Sequence, residues 1–285
     1  MLKRLRERRP VLYCVVAEIL FLLFMMVAVY GLAFGLVLTG ADWSALDEYA
    51  MTIFQELAGI AVALVFLFAT GRQHLLTRRG CGFLDGLLVG MYPLGLICYS
   101  MVVSLTLSRP DGPMRSPLQI LTFVVGMFSV GIAEEFLFRA VIAETLLEKF
   151  GPSTQGVWKA CLLSGLLFGC AHLTNLLGSA PFGVLMQCLF TISIGTLLGA
   201  IYFRTGNIWV PVFIHGFMDV SSIIIGGLYG TETVTEAVSN YDASMLSAVL
   251  IYILPVLFLL RRKRIGQVAL NFQEELAPAQ QPPAE

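Results

Sequence analysis

Residues 11–38, VLYCVVAEILFLLFMMVAVYGLAFGLVL, form an apolar run interrupted by a single charge, Glu18. A helix that crosses a hydrocarbon core needs about 20 consecutive apolar residues, and this run exceeds that length. It follows a basic start, MLKRLRERRP, as a signal peptide would. A signal sequence, however, carries only about 7–15 apolar residues before a small-residue cleavage site, so the run is expected to be a retained first span.

Seven further apolar runs follow, over 51–70, 83–107, 118–147, 157–173, 182–203, 208–228 and 245–260. The composition agrees. Of 285 residues, 57% are hydrophobic and only 13% charged, against roughly 25% charged in soluble domains. Mean hydropathy is +0.82. The short alternating segments of a membrane β-barrel are absent. The fold class is therefore all-α, a polytopic transmembrane bundle of about eight spans, in contact with membrane lipid. Six cysteines (Cys14, Cys81, Cys98, Cys161, Cys170, Cys188) fall mostly in apolar runs without CxxC spacing and read as small hydrophobes. A net charge of −1 gives no basic excess, and no nucleic-acid partner is expected.

Connections are short and hold the turn formers Gly40, Pro110-Asp111-Gly112-Pro113, Gly151-Pro152 and Gly206-Asn207. Basic clusters lie at the N-terminus (Lys3, Arg4, Arg6, Arg8, Arg9), in the second loop (Arg72, Arg78, Arg79) and after the last span (Arg261, Arg262, Lys263, Arg264), with Arg204 in another even-numbered loop. The first loop (Asp42, Asp47, Glu48) and the seventh (Glu232, Glu236, Asp242) are acidic, and Arg109 and Arg115 are the exceptions. By the positive-inside rule both termini are expected in the cytoplasm. The chain divides into a three-span region (1–117), a core (118–228), a last span (229–264) and a Pro/Gln-rich tail (265–285) expected to be disordered.

Ionisable groups within spans cost about 2.5–3.5 kcal/mol each on insertion scales and need a reason to be there. The fourth run contains AEEFLFRA with Glu134, Glu135 and Arg139; the fifth ends in FGCAH with Phe168 and His172; the seventh holds HGFMD with His215 and Asp219. Glu135 and Arg139, four apart, share a helix face and can neutralise each other. Glu134 is turned about 100° away and is left without that partner. His215 and Asp219 are also four apart. These groups would cost least by converging on one interior cavity, where a carboxylate beside imidazoles is suited to take a proton from water. Taken singly, each motif reads equally well as a helix–helix staple. Glu18 reads as interfacial, Glu56 has no evident partner, Asn175 and Gln187 suit interhelical hydrogen bonds, Phe168 suits packing or a pocket wall, and Gly165 and Gly169 suit close helix packing.

The ordered set EExxxR, FxxxH and HxxxD, each on its own apolar helix, resembles the CPBP family: the type II CAAX prenyl endopeptidases and their bacterial relatives, often linked to bacteriocin self-immunity. The resemblance covers about 118–228. It implies an intramembrane endopeptidase acting on a membrane-associated protein or peptide, in a multi-pass protein of the bacterial cell membrane. It also implies that Glu134, assisted by His172, activates the attacking water, that His215 and position 219 stabilise the oxyanion, and that Glu135, Arg139 and Phe168 support them. The prenyl endopeptidases favour Asn where this chain has Asp219. An ionised Asp cannot donate to an oxyanion, so Asp219 is expected instead to fix the tautomer of His215 and keep it charged.

Glu134, His172 and His215 could supply three ligands to a catalytic zinc. The HExxH helix of zincins is missing, however, and no tightly bound metal is expected. The alternative reading is a non-catalytic scaffold, self-immunity factor or secretion partner that keeps the fold. A proton-coupled transporter ranks below both, because no repeated half or paired broken helices appear.

Overall fold

The computed structural model describes residues 1–40 and 46–276, and among these it is helical throughout, with no strand. Asp42 and the tail beyond Leu276 lie outside the described residues. A short α1 (Leu2–Arg8) leads into α2 (Pro10–Thr39), which opens on a proline at its first position and ends on left-handed Gly40. α3 (Glu48–Thr70) is capped by Asp47, whose carboxylate accepts from the amides of Tyr49 and Ala50, and ends on left-handed Gly71.

The third apolar run is not straight. It forms α4 (Phe83–Val89) and α5 (Met91–Leu107), bent by 78°. The break falls at Gly90, where a Cβ would lie 2.3 Å from Cδ1 of Ile214. α6 (Pro117–Glu135) starts with a Ser116–Gln119 capping box and runs through a π-helical stretch (Phe136–Ala143) into α7 (Glu144–Phe150). α8 (Thr154–Ala171) ends in a 3-10 turn (His172–Leu177), and α9 (Pro181–Thr205) is the most enclosed span. α10 (Trp209–Ser222) and α11 (Ile224–Tyr229) divide the seventh run, and α12 (Val234–Ser239) sits in the seventh loop. α13 (Met245–Leu259) and α14 (Ile265–Asn271) enclose a 58° bend, followed by α15 (Gln273–Leu276).

Five helices are long and apolar enough to cross a bilayer, or seven if each bent pair counts as one span. The remaining sequence segment is α10, whose 14 residues fall short of a full crossing. Large apolar side chains such as Phe34, Phe68, Tyr99, Leu118 and Phe258 face outward. A water-facing surface would not carry so much exposed apolar area; a lipid-facing one does.

Part of the expected tail is ordered. Ile265, Val268, Phe272 and Leu276 are buried, and the Asn271 amide donates to the carbonyls of Phe203 and Arg204 at 3.2 and 2.9 Å. Arg78 reaches the Gly206 carbonyl (2.9 Å) and stacks over Phe272 at 4.1 Å. At the same end, Arg6 meets Thr145 (3.0 Å) and Glu148 (2.8 Å), and Arg72 meets Glu144 (2.6 Å) and Glu148. The basic N-terminus, the second loop and the stretch around Arg204 are thus fastened to one end of the bundle. Arg115, an exception to the charge pattern, pairs with Asp47 at 3.6 Å and lies over Tyr49. All six cysteines are free.

Candidate active site

Two glycines bring the site together. A Cβ on Gly131 of α6 would stand 2.8 Å from the Gly216 nitrogen and 3.0 Å from the Val212 carbonyl oxygen. One on Gly216 of α10 would stand 2.7 Å from the Phe128 ring. Helices approach this closely only where small residues face each other. The contact sets Glu134 and Glu135, one turn beyond Gly131, against His215, the residue before Gly216.

Glu135 and Arg139 pair as their spacing predicts, with Nε to Oε2 at 2.7 Å and a second bond to Oε1 at 3.0 Å, both side chains fully buried. Arg139 also donates to the Ser164 hydroxyl (3.3 Å), which donates onward to the Phe138 carbonyl (2.9 Å). Glu135 has a further role that the sequence did not suggest: its Oε1 lies 3.0 Å from Nδ1 of His215. Nδ1 of His215 is thus met by Glu135 rather than by Asp219. Glu135, bridging Arg139 and His215, orients the imidazole. Asp219 lies on the opposite side, 3.6 Å from Nε2, beyond hydrogen-bonding distance. One helical turn carries Asp219 to the Nε2 side, whereas Glu135 arrives from α6 on the Nδ1 side. Glu134 also faces Nε2, at 3.5 Å.

His172 closes α8. Its Nδ1 is 2.8 Å from the Phe168 carbonyl, an acceptor only, so Nδ1 carries the proton and Nε2 is left for the cavity. Phe168 is a hub: its ring meets His172 edge-on at 5.0 Å and His215 at 5.7 Å, and Arg139 lies 5.2 Å from its centroid. The glycines of α8 allow this, since Gly165 and Gly169 meet the backbone of α9 at Ile192 and Cys188. The depth of His172 also finds an explanation. Glu134 precedes the end of α7 by 16 residues and His172 follows the start of α8 by 18, two antiparallel helices joined by one short turn. At about 1.5 Å per residue the two side chains reach similar heights.

Glu134, His172, His215 and Asp219 line one cavity of about 580 Å³. Asn175 and Gln187 line it as well and are joined by a 2.8 Å hydrogen bond. α12 roofs it: Val234, Ala237 and Val238 face inward, and Ser239 accepts from the Ala180 amide at 3.1 Å. Tyr241, also in the wall, is pushed up to about 12 by burial and by the nearby carboxylates of Asp219 and Glu232, and so keeps its phenolic proton. The residue missed by sequence reasoning is Glu56, which comes from α3. It is 4% exposed, faces the same cavity, and is approached only by the Gln55 amide at 3.5 Å. The other acids of the wall, Glu134 and Asp219, are more than 70 positions away, and a lone glutamate in an apolar helix was the signal the sequence offered.

Among the described residues, no group of three or more His, Cys, Asp and Glu side chains is arranged to hold a metal ion. The Nδ1 atoms of both imidazoles are already engaged, by Glu135 and by the Phe168 carbonyl. That engagement leaves Nε2 of each ring toward the cavity, where the Nε2 of His215 faces Glu134 at 3.5 Å.

Comparison with known proteins adds family information. Residues 116–221 match the family described as "Type II CAAX prenyl endopeptidase Rce1-like". Over 105 residues the chain is 30% identical to the "Putative membrane peptidase YdiL" of Bacillus subtilis (strain 168). That match spans 37% of this chain and 37% of the relative. The three short motifs, from Glu134 to Asp219, all fall within the stretch that this family model matches, so the resemblance read from them is shared by the model over residues 116–221.

Proposed function

We propose that this protein is a membrane-embedded endopeptidase in which Glu134 activates water. The observation that carries the reading is the shared cavity: Glu134, His172 and His215, from three helices, face one enclosed space large enough for a peptide segment. In this reaction Glu134, assisted by Nε2 of His172, takes a proton from a water whose oxygen bonds to the peptide carbonyl carbon. The carbonyl oxygen becomes an oxyanion, which His215 stabilises from Nε2. Donation from Nε2 while Nδ1 donates to Glu135 requires the imidazolium form, and Arg139 balances the charge of Glu135. As the C–N bond breaks, the proton held by Glu134 passes to the leaving amine. Glu135, Arg139 and Phe168 hold the imidazoles in place. The substrate is a membrane-associated protein or peptide, and the setting is a bacterial cell membrane with the basic end of the bundle in the cytoplasm.

The test is mass spectrometry of membranes from cells that carry the wild-type protein or Glu134→Gln. A peptide cut only with the wild type is expected, with its cleavage lowered about 10²–10⁴-fold in the variant, the usual size of a general-base contribution. Equal cleavage products at equal expression would overturn the proposal and favour a scaffold or self-immunity factor that keeps the fold.

A further inference from the structure

The cavity has more acid than the proposed reaction uses. Water activation needs one carboxylate, Glu134, and Glu135 is consumed by Arg139 and His215. Two others remain on the wall. Oε2 of Glu56 and Oδ2 of Asp219 are buried and have no hydrogen-bond partner. No lysine or arginine lines the cavity; the Nε2 of His215 stands 3.6 Å from Oδ2 of Asp219, beyond hydrogen-bonding distance, and Oε2 of Glu56 has no such neighbour. Glu56, Glu134 and Asp219 all line this one cavity.

Carboxylate oxygens in a low-dielectric pocket are costly unless a donor meets them, and a cation meets two at once. The approach to the cavity has the same sign. Glu232, Glu236 and Asp242 sit in the loop that roofs it; of the two arginines in the loop before α6, Arg109 and Arg115, the latter lies beside Gly230 and pairs with Asp47.

We propose that Glu56, together with Asp219, forms a specificity site for a lysine or arginine side chain carried by the peptide that occupies the cavity. This rests on the endopeptidase reading and names its substrate class: apolar segments with a basic residue close to the bond that is cut. The apolar remainder of the wall, including Phe21, Met25, Met127 and Ile194, accepts the flanking residues. Glu56 is a binding residue here and takes no part in proton transfer.

The full-length protein in lipid nanodiscs would be presented with leucine-rich peptides that carry one arginine, scanned along the sequence, and with the same peptides bearing neutral citrulline instead. Both binding and cleavage would be followed. At the best position, arginine is expected to bind about tenfold tighter than citrulline, the size of one charge-assisted hydrogen bond. Glu56→Gln should bring that ratio close to one, and Glu56→Asp, which keeps the charge, should retain most of it. Both variants must remain monodisperse. Equal binding of arginine and citrulline peptides to the wild type, or an arginine preference that survives in Glu56→Gln, would overturn the inference. If peptides are cut without regard to charge, the specificity site falls and the endopeptidase stands. If Glu56 selects arginine and nothing is cut, the endopeptidase falls and a cation-binding cavity remains.

Discussion

The two sides of the His215 ring behave differently. On the Nδ1 side every polar atom is occupied: Glu135 holds Arg139 twice and His215 once, and Arg139 reaches Ser164, which reaches a backbone carbonyl. On the Nε2 side, Glu134 and Asp219 stand at 3.5 and 3.6 Å, and oxygens of Asp219 and Glu56 have no partner. Adjacent residues of one helix, Glu134 and Glu135, thus fall on opposite sides of a boundary. A saturated network rigidifies, and an unsatisfied wall is where a ligand or a reaction can supply the missing partner. Under the proposed function, the difference separates the residues that hold the site from those that act in it.

The sharpest way to break this comparison is to unbalance the saturated side. Arg139→Met leaves Glu135 buried without its main counter-charge and is expected to cost about 3–5 kcal/mol of stability, the usual effect of removing one partner from a buried pair. Thermal unfolding and yield in detergent would measure it. Glu134→Gln, on the open side, should leave the unfolding midpoint nearly unchanged. Equal losses from both variants would show that the two carboxylates are not divided in this way.

A smaller effect is expected where the two sides are brought into register. Gly131→Ala pushes a methyl group into the backbone of α10 at Gly216 and Val212, an overpacking cost of about 1–3 kcal/mol. Separating α6 from α10 also lengthens the Glu135–His215 contact, so cleavage should fall more than stability alone explains. Gly95→Ala in α5 provides the contrast. A Cβ there meets nothing within 4 Å, and the change should be neutral or slightly stabilising. Similar behaviour of the two variants would remove the close approach from the account.

How much of this was legible in the sequence depends on the range of each interaction. The Glu135–Arg139 pair was readable because both residues lie on one helix turn, and so was the separation of Glu134 from them. The order of the three motifs gave the family pattern. The role of Glu135 toward His215 was not readable, because 80 positions separate them and it takes the close approach of α6 and α10 at Gly131 and Gly216 to join them. For the same reason Glu56 looked isolated, and the boundary drawn at residue 117 hid that α3 packs on α6. The 78° break falls at Gly90, which packs against Ile214, again a distant residue. The ordered part of the tail had a local signal: Ile265, Val268, Phe272 and Leu276 recur at helical spacing, but the Pro/Gln-rich stretch after them dominated the reading.

The smallest effect concerns the roof over the open side. α12 is held by a reciprocal cap: the Thr233 hydroxyl accepts from the Glu236 amide at 3.2 Å, and Glu236 accepts from the Thr233 amide and hydroxyl at 2.8 and 2.9 Å. These bonds, the backbone one first, hold the Glu236 carboxyl below the usual glutamate range. Its stabilising contribution is therefore complete above the ordinary value of about 4.3 and is lost as the pH falls through the lowered one. Hydrogen exchange of amides 233–240, corrected for intrinsic rates, should accelerate on acidification below about pH 4.3 while α6 and α10 stay protected. Thr233→Ala, which removes a cap of about 1 kcal/mol, should loosen the same amides at neutral pH. Glu236→Gln keeps an acceptor that does not titrate and should abolish the acid response. If the acid response persists in Glu236→Gln, the roof is held by something other than this cap, and acid opening cannot be assigned to the seventh loop.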